Sequence, residues 1–237
     1  MDFKSIDLIQ PINNYVLVEL SNTGNNRIEI GGHNLVINTS FHPEHHVNVV
    51  GRVIMLPKEL TYRVPGKKSN FSAMPWKTKH ELCIEKGDLV WIDYIAVMEA
   101  LGNLLDPLSN FSAPRYIIVG QKLYVFIHYA RLYMRQRNEE NYMLNGFVGV
   151  SQTETKEIVK SKAQNKIVRV EIIGDPLISD SRRARPIRFE DIMVGDLVAI
   201  KKAHSSIPIE KDIHRSLDKH IFATRPHDIL AIISSQV

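Results

Sequence analysis

The phrase Gly-Asp-Leu-Val occurs twice in this chain, in EKGDLVWID at Glu85–Asp93 and in MVGDLVAIK at Met193–Lys201. Each copy opens an alternating apolar run. Glycine supplies positive φ for a tight turn and aspartate bonds back to the turn's own backbone, so the phrase predicts one turn and one strand used twice. The strand sends Leu89 and Trp91 to one face and Val90 and Ile92 to the other, with Leu197 and Ala199 opposed to Val198 and Ile200 in the second copy. Both faces are apolar, which predicts a strand buried on both sides.

Three further blocks recur in the same order. Tyr15-Val16-Leu17-Val18 has a counterpart in Phe147-Val148-Gly149-Val150, Arg52-Val53-Ile54 in Arg169-Val170-Glu171, and Leu132-Tyr133-Met134 in Leu230-Ala231-Ile232. Block order is harder to reproduce by chance than composition, and it points to tandem duplication. The 237 residues then divide into 1–137 and 138–237, each the size of a small domain.

Strand signals dominate both halves. Runs rich in β-branched and aromatic residues lie at Tyr15–Leu20, Val49–Leu56, Asp88–Val97, Tyr116–Val119 and Lys122–Tyr129, then at Gly146–Val150, Ile167–Ile173, Asp196–Lys201, His220–Thr224 and Ile229–Ile233. Turn residues separate them, and the class predicted is all-β, as a sandwich or barrel. Ala96–Leu105 is compatible with a turn or two of helix, limited by Gly102, and Ala130–Tyr142 with a helix or an exposed linker. Long interruptions at Ser21–Val47, Pro57–His80 and Leu101–Arg115 are the natural places for function.

The composition is that of a globular protein, 44% hydrophobic and 24% charged, with a formal charge of +4 and a pI near 9.1. Cys83 is the sole cysteine, so neither an intramolecular disulfide nor a thiolate metal cage can form, which suits a reducing compartment. MDFKSIDLIQP lacks the apolar core of a signal peptide, and no run approaches the ~18–20 apolar residues that span a bilayer, so the expected location is the cytoplasm.

No Gly-x-Gly-x-x-Gly turn, nucleophile elbow, P-loop or His-Glu-x-x-His motif occurs, so neither catalysis nor a cofactor is expected. His33, His42, His45 and His46 crowd one segment beside Glu44, but with no second cluster they read as solvated surface and not as a metal site. Arg182, Arg183, Arg185 and Arg188 make a basic loop or a subunit contact. No aromatic stripe interleaves them as single-stranded nucleic acid would require. Met74 and Trp76 mark either a contact surface or the small core of a long loop.

Taken in order, these blocks resemble the GroES family of co-chaperonins. Its members open with a Pro-Leu/Ile phrase, a two-residue turn and a strand, as IQPINNYVLVEL does at Ile9–Leu20. They carry a Val-Gly-Asp-Ile/Leu-Val turn and strand, matched at Val194–Val198, and close on a phrase like the Asp-Ile-Leu-Ala-Ile-Ile at Asp228–Ile233. The resemblance implies two GroES-like β-barrels in tandem and a homo-oligomeric ring that caps a chaperonin. It also implies a mobile loop, here Ser21–Val47, that grips the partner. Gly31 and Gly32 match the family's glycine pair, and Leu35, Val36 and Ile37 stand two residues late for its apolar triplet. The second half has only Ile158-Val159 in Ser151–Lys166, without a glycine pair. An alternative is the same fold reused as a ring or connector protein in the head–tail region of a tailed-phage virion. The expected partner is a chaperonin or another ring protein, with no membrane and no nucleic acid.

Overall fold

The computed structural model describes residues 6–21, 27–30, 33–36, 49–64, 72–75, 82–102, 114–152, 166–174, 192–200, 207–208, 221–224 and 228–233. The chain divides into two compact units, Met1–Tyr62 with Ala73–Leu132, and Arg63–Ser72 with Tyr133–Val237. Nearly all of the regular structure is β, in antiparallel sheets, as the alternating runs predict.

The first unit contains β1 (Tyr15–Leu20), β2 (Arg27–Ile30), β3 (His33–Val36) and β4 (Val50–Met55). After β5 (Thr61–Val64) and β6 (Ser72–Pro75), which pair with each other, come β7 (Leu89–Ile92), the helix α1 (Tyr94–Leu101), β8 (Tyr116–Val119) and β9 (Lys122–His128). Within this unit the main sheet runs β7-β4-β1-β9-β8. Its central strand β1 buries Val16, Leu17 and Val18 completely, together with Val53, Val90, Ile92 and Val125 from its neighbours. Fully burying an aliphatic side chain of this size contributes about 1.5–3 kcal/mol, so this cluster is the chief source of the unit's stability.

Sequence periodicity carries the third strand of this unit through to Val97, but the strand stops at Ile92. Asp93 is the reason. Its carboxylate accepts the Ile95 N–H at 3.0 Å and caps α1, while Gly102, with φ +45°, closes the helix by donating its N–H to the Met98 carbonyl. The helix buries Ala96, Val97, Ala100 and Leu101.

In the second unit, β10 (Leu132–Arg137, whose first residue ends the first unit) and β11 (Glu140–Met143) form a hairpin. The helix or linker expected over Ala130–Tyr142 is therefore corrected. Asn138 and Glu139 both take positive φ, the requirement of a two-residue hairpin turn, and Gln136 bonds Asn141 across the strands at 3.0 Å. There follow β12 (Val148–Gln152), β13 (Lys166–Ile172), β14 (Leu197–Ile200), β15 (Ile207–Pro208), β16 (Ile221–Thr224) and β17 (Ile229–Ile233), in the sheet order β15-β16-β12-β13-β14-β17. Val148, Val150, Val168, Val170, Ile192, Val198 and Ile200 form its core.

The two units repeat one another bond for bond at several places. Ile12–Tyr15 and Leu144–Phe147 are the same tight turn. Tyr15 N–H reaches the Ile12 carbonyl at 3.1 Å and Phe147 N–H reaches that of Leu144 at 3.0 Å, with positive φ at Asn13, Asn14, Asn145 and Gly146. The β1–β4 ladder shifts register between Leu17 and Val18, and the β12–β13 ladder between Gly149 and Val150. This bulge sits at the same step of the repeat. The first three block pairs read from the sequence therefore match in register.

Closed barrels are not seen among the described residues, and that expectation is corrected: neither strand order returns to its first strand. The outermost strands account for this. β8 pairs with β9 alone, and β15 has two residues, one a proline that offers no N–H to a closing ladder.

Candidate functional site

The loop singled out from the sequence holds the β2–β3 hairpin. Arg27 pairs with Val36, Ile28 with Leu35, Glu29 with Asn34 and Ile30 with His33. Leu35 and Val36 thus lie in a paired strand, opposite one apolar and one basic residue. Gly31, Gly32 and Ile37 lie outside the described residues, as do Trp76, the arginines at 182, 183, 185 and 188, and the histidines at 42, 45 and 46. Met74 sits in β6, the partner of β5. The structure brings Leu35 and Val36 together on one strand and places Met74 on another, while the other candidate site residues lie outside the described residues.

The repeated Gly-Asp turns are built alike. Asp88 accepts the Glu85 N–H at 2.7 Å and Asp196 accepts the Met193 N–H at 2.7 Å. Val53 and Val170 are each bracketed by two backbone bonds to their turn: Gly87 and Gly195 donate to them at 2.8 Å, and they donate to Asp88 and Asp196 at 2.9 and 2.8 Å. The residue before the tip is buried in both, Ile84 and Ile192. The tips themselves differ. Glu85-Lys86 in the first unit is replaced by Met193-Val194 in the second, 67% and 63% exposed. One backbone geometry serves both pairs, so the fold does not require the apolar one. Comparing the halves position by position is the signal that would have found this patch.

The first unit also carries a polar cluster. Arg115 donates to Tyr15 Oη at 3.1 Å and to Glu99 Oε2 at 2.9 Å, linking β1, α1 and the entry to β8. Burial pulls the Arg115 pKa down, but the hydrogen bonds to Tyr15 and Glu99 outweigh it and leave the group above its ordinary value. Tyr15 also meets the His128 ring edge-on at 5.6 Å. The two terminal nitrogens of Arg115 are bonded to neighbours on different elements while its Nε is buried without a hydrogen-bond partner among the described residues, so the cluster ties elements together and reads as architecture. Among the described residues no three of His, Cys, Asp and Glu converge as a metal site would need, and no helix is long and apolar enough to cross a membrane.

No family model matches the chain, and no curated protein matches it. Its functional reading therefore rests on its own geometry: a repeated sheet unit, a hairpin on the first copy and an apolar tip on the second.

Proposed function

We propose that the chain is a non-enzymatic, co-chaperonin-like ring subunit, two GroES-like domains in tandem, that contacts a chaperonin through the Ser21–Val47 loop to assist protein folding. The supporting observation is the recurrence of one turn, one bulge and one Gly-Asp bracket in both units, in the block order of that family. Leu35 and Val36 make the docking contact, with Ile37 beside them. A short apolar stretch in a long polar loop buries little area in each copy, so each contact is weak and a ring supplies strength through multivalency. ATP chemistry belongs to the partner, and the site of action is the cytoplasm.

The test is retention on a chaperonin column in the presence of nucleotide, comparing the protein with Val36→Asp. Loss of retention only in the variant supports the docking role, and equal retention of both proteins overturns it.

One observation favours a second reading. Leu35 and Val36 are already paired with Ile28 and Arg27 in the isolated chain. A grip that is pre-formed as a hairpin suits a permanent assembly, such as a ring or connector protein of a tailed-phage virion. Co-purification with virions and indifference to chaperonin would favour it.

A further inference from the structure

The two units hold different strands at one equivalent edge. β9 pairs with β1 in the first unit as β16 pairs with β12 in the second, with Val16 opposite Ile127 and Val148 opposite Thr224. β8 on β9 and β15 on β16 therefore take the same outermost position. β15 is a protected edge, two residues long and ending in a proline. β8 reads Tyr-Ile-Ile-Val, without charge, proline or bulge, and its Ile118 is 51% exposed. Since the second unit folds with this edge closed, the open apolar edge of the first is not a requirement of the fold.

Backbone bonding decides which groups of β8 stay open. Val119 and Lys122 flank the two-residue turn Gly120-Gln121, and Phe126 donates its N–H to the Arg115 carbonyl at 2.8 Å. Steps alternate along an antiparallel ladder, so the carbonyls of Arg115, Ile117 and Val119 face β9. Tyr116 and Ile118 turn their N–H and carbonyl groups the other way, where β8 has no strand partner among the described residues.

We propose that β8 pairs antiparallel with β8 of a second copy, about a two-fold axis at Ile117. Tyr116 of each copy then exchanges both backbone bonds with Ile118 of the other, which satisfies every open group on the two strands. The flanks single out this register. An axis at Tyr116 would set Ile118 against Pro114, which has no N–H, and an axis at Ile118 would set Tyr116 against Gly120, which has left the strand for the turn with φ +61°. The Ile117 axis also sets Tyr116 beside Ile118, an aromatic against a β-branched side chain, a pairing that stabilises sheets. The nearest charge, Arg115, is held by Glu99 at 2.9 Å, so no unpaired cation faces its own copy. A strand that matches itself in donors, acceptors, side chains and charge is suited to a second copy. The contact is isologous, so by itself it stops at two copies, and it depends on neither the chaperonin nor the ring of the proposed function. Strands this short bury little surface, so the pairing is weak and shows at high protein concentration.

In a Cys83→Ser background, Ile117→Cys and Val119→Cys are made as separate proteins and mildly oxidised. Position 117 faces its own copy across a non-bonded step, about 4.5 Å apart at Cα and within disulfide range, whereas the two positions 119 lie about 14 Å apart. Ile117→Cys is expected to link with itself into dimers and Val119→Cys is not. Linking of both alike, or of neither, overturns the proposal. Should Ile117→Cys fail to fold, Ile118→Lys decides. Lysine protects natural sheet edges, and here it is expected to raise the dimer dissociation constant about tenfold or more in sedimentation equilibrium, with the unfolding midpoint in dilute solution unchanged. An unchanged dissociation constant, or a parent protein that is monomeric at every concentration, overturns the contact. Hydrogen exchange at the Tyr116 and Ile118 amides identifies the occupant. Protection that grows with protein concentration is expected; protection independent of concentration would put a segment of the same chain on this edge and overturn the pairing. Larger assemblies that survive Ile118→Lys would overturn this contact and leave the ring subunit standing.

Discussion

The Arg52 guanidinium donates from Nη1 to the carbonyl oxygen of Gly87 at 2.9 Å, tying β4 to the turn that launches β7. Arg169 makes the same bond to Gly195 at 3.3 Å. Both arginines are exposed, so each bond orients the turn more than it stabilises it, and most of the holding falls to the aspartate that follows.

That division of labour can be measured. Asp88 is buried at 4% exposure and Asp196 is half-buried, although each accepts one turn N–H at 2.7 Å. Replacement by alanine strands a backbone donor, and the cost rises with burial. Asp88→Ala is expected to lose about 2 kcal/mol and Asp196→Ala about 1 kcal/mol. Urea unfolding of the two variants checks this, and equal losses would remove burial as the cause.

Two glycines of the first unit should behave differently for different reasons. At Gly51 an added Cβ would meet Val18 Cγ1 at 2.3 Å and the Glu19 carbonyl at 2.9 Å, so Gly51→Ala overpacks the β1–β4 contact and is expected to cost about 1–3 kcal/mol. At Gly87 nothing lies within 4 Å, but φ is +100°, so Gly87→Ala meets only backbone strain, about 1–2 kcal/mol. Gly51→Ala should also disturb the amide resonances of Val18 and Glu19, whereas Gly87→Ala should leave them in place.

The repeat was legible because each block contains a step only certain residues can take. Gly87 and Gly195 sit at φ near +100°, and Asn13, Asn14, Asn145 and Gly146 fill a turn that needs positive φ throughout. The β10–β11 hairpin was not legible, because its turn uses Glu139 at positive φ, a residue with no turn preference. The strand read through Asp93 failed for a related reason. TyrIleAlaValMetGluAlaLeu is apolar on nearly every side, so periods of 2 and 3.6 cannot be told apart there, and only the Asp93 cap separates strand from helix. Of the candidate site, Leu35 and Val36 were proposed by phrase alone, and the structure adds their pairing with Ile28 and Arg27. The exposure of Ile118 on β8 could not be read this way, because an apolar run reads as buried whether or not a sheet ends beside it.

A pH dependence follows from the exposed pair between β1 and β9. Lys122 donates to Glu19 Oε2 at 3.3 Å and lies 3.0 Å from Oε1, and that hydrogen bond and the charge raise its pKa above the ordinary lysine value. A raised folded pKa contributes stability that is complete below the unfolded value of ~10.4 and is lost as pH climbs through the folded value. Glu19→Gln is therefore expected to bring the Lys122 titration back toward that of free lysine and to flatten the alkaline edge of the stability curve. Lysine side-chain NMR across that range checks the first, and thermal unfolding from neutral to alkaline pH checks the second.

The apolar tip of the second unit offers the sharpest separation of fold from function. Glu85-Lys86 and Met193-Val194 occupy the same turn, with the same aspartate bond behind the tip and a buried isoleucine before it. Writing Met193→Glu and Val194→Lys into the second turn should therefore leave its backbone unchanged and stability within about 0.5 kcal/mol, as for ordinary surface replacements. If the tip serves only the fold, nothing else changes. If it is a contact surface, the variant keeps its unfolding midpoint and loses retention on its partner or falls in oligomer mass. A variant that unfolds early would show instead that Met193 and Val194 hold the second unit together, and would end the comparison between the two turns.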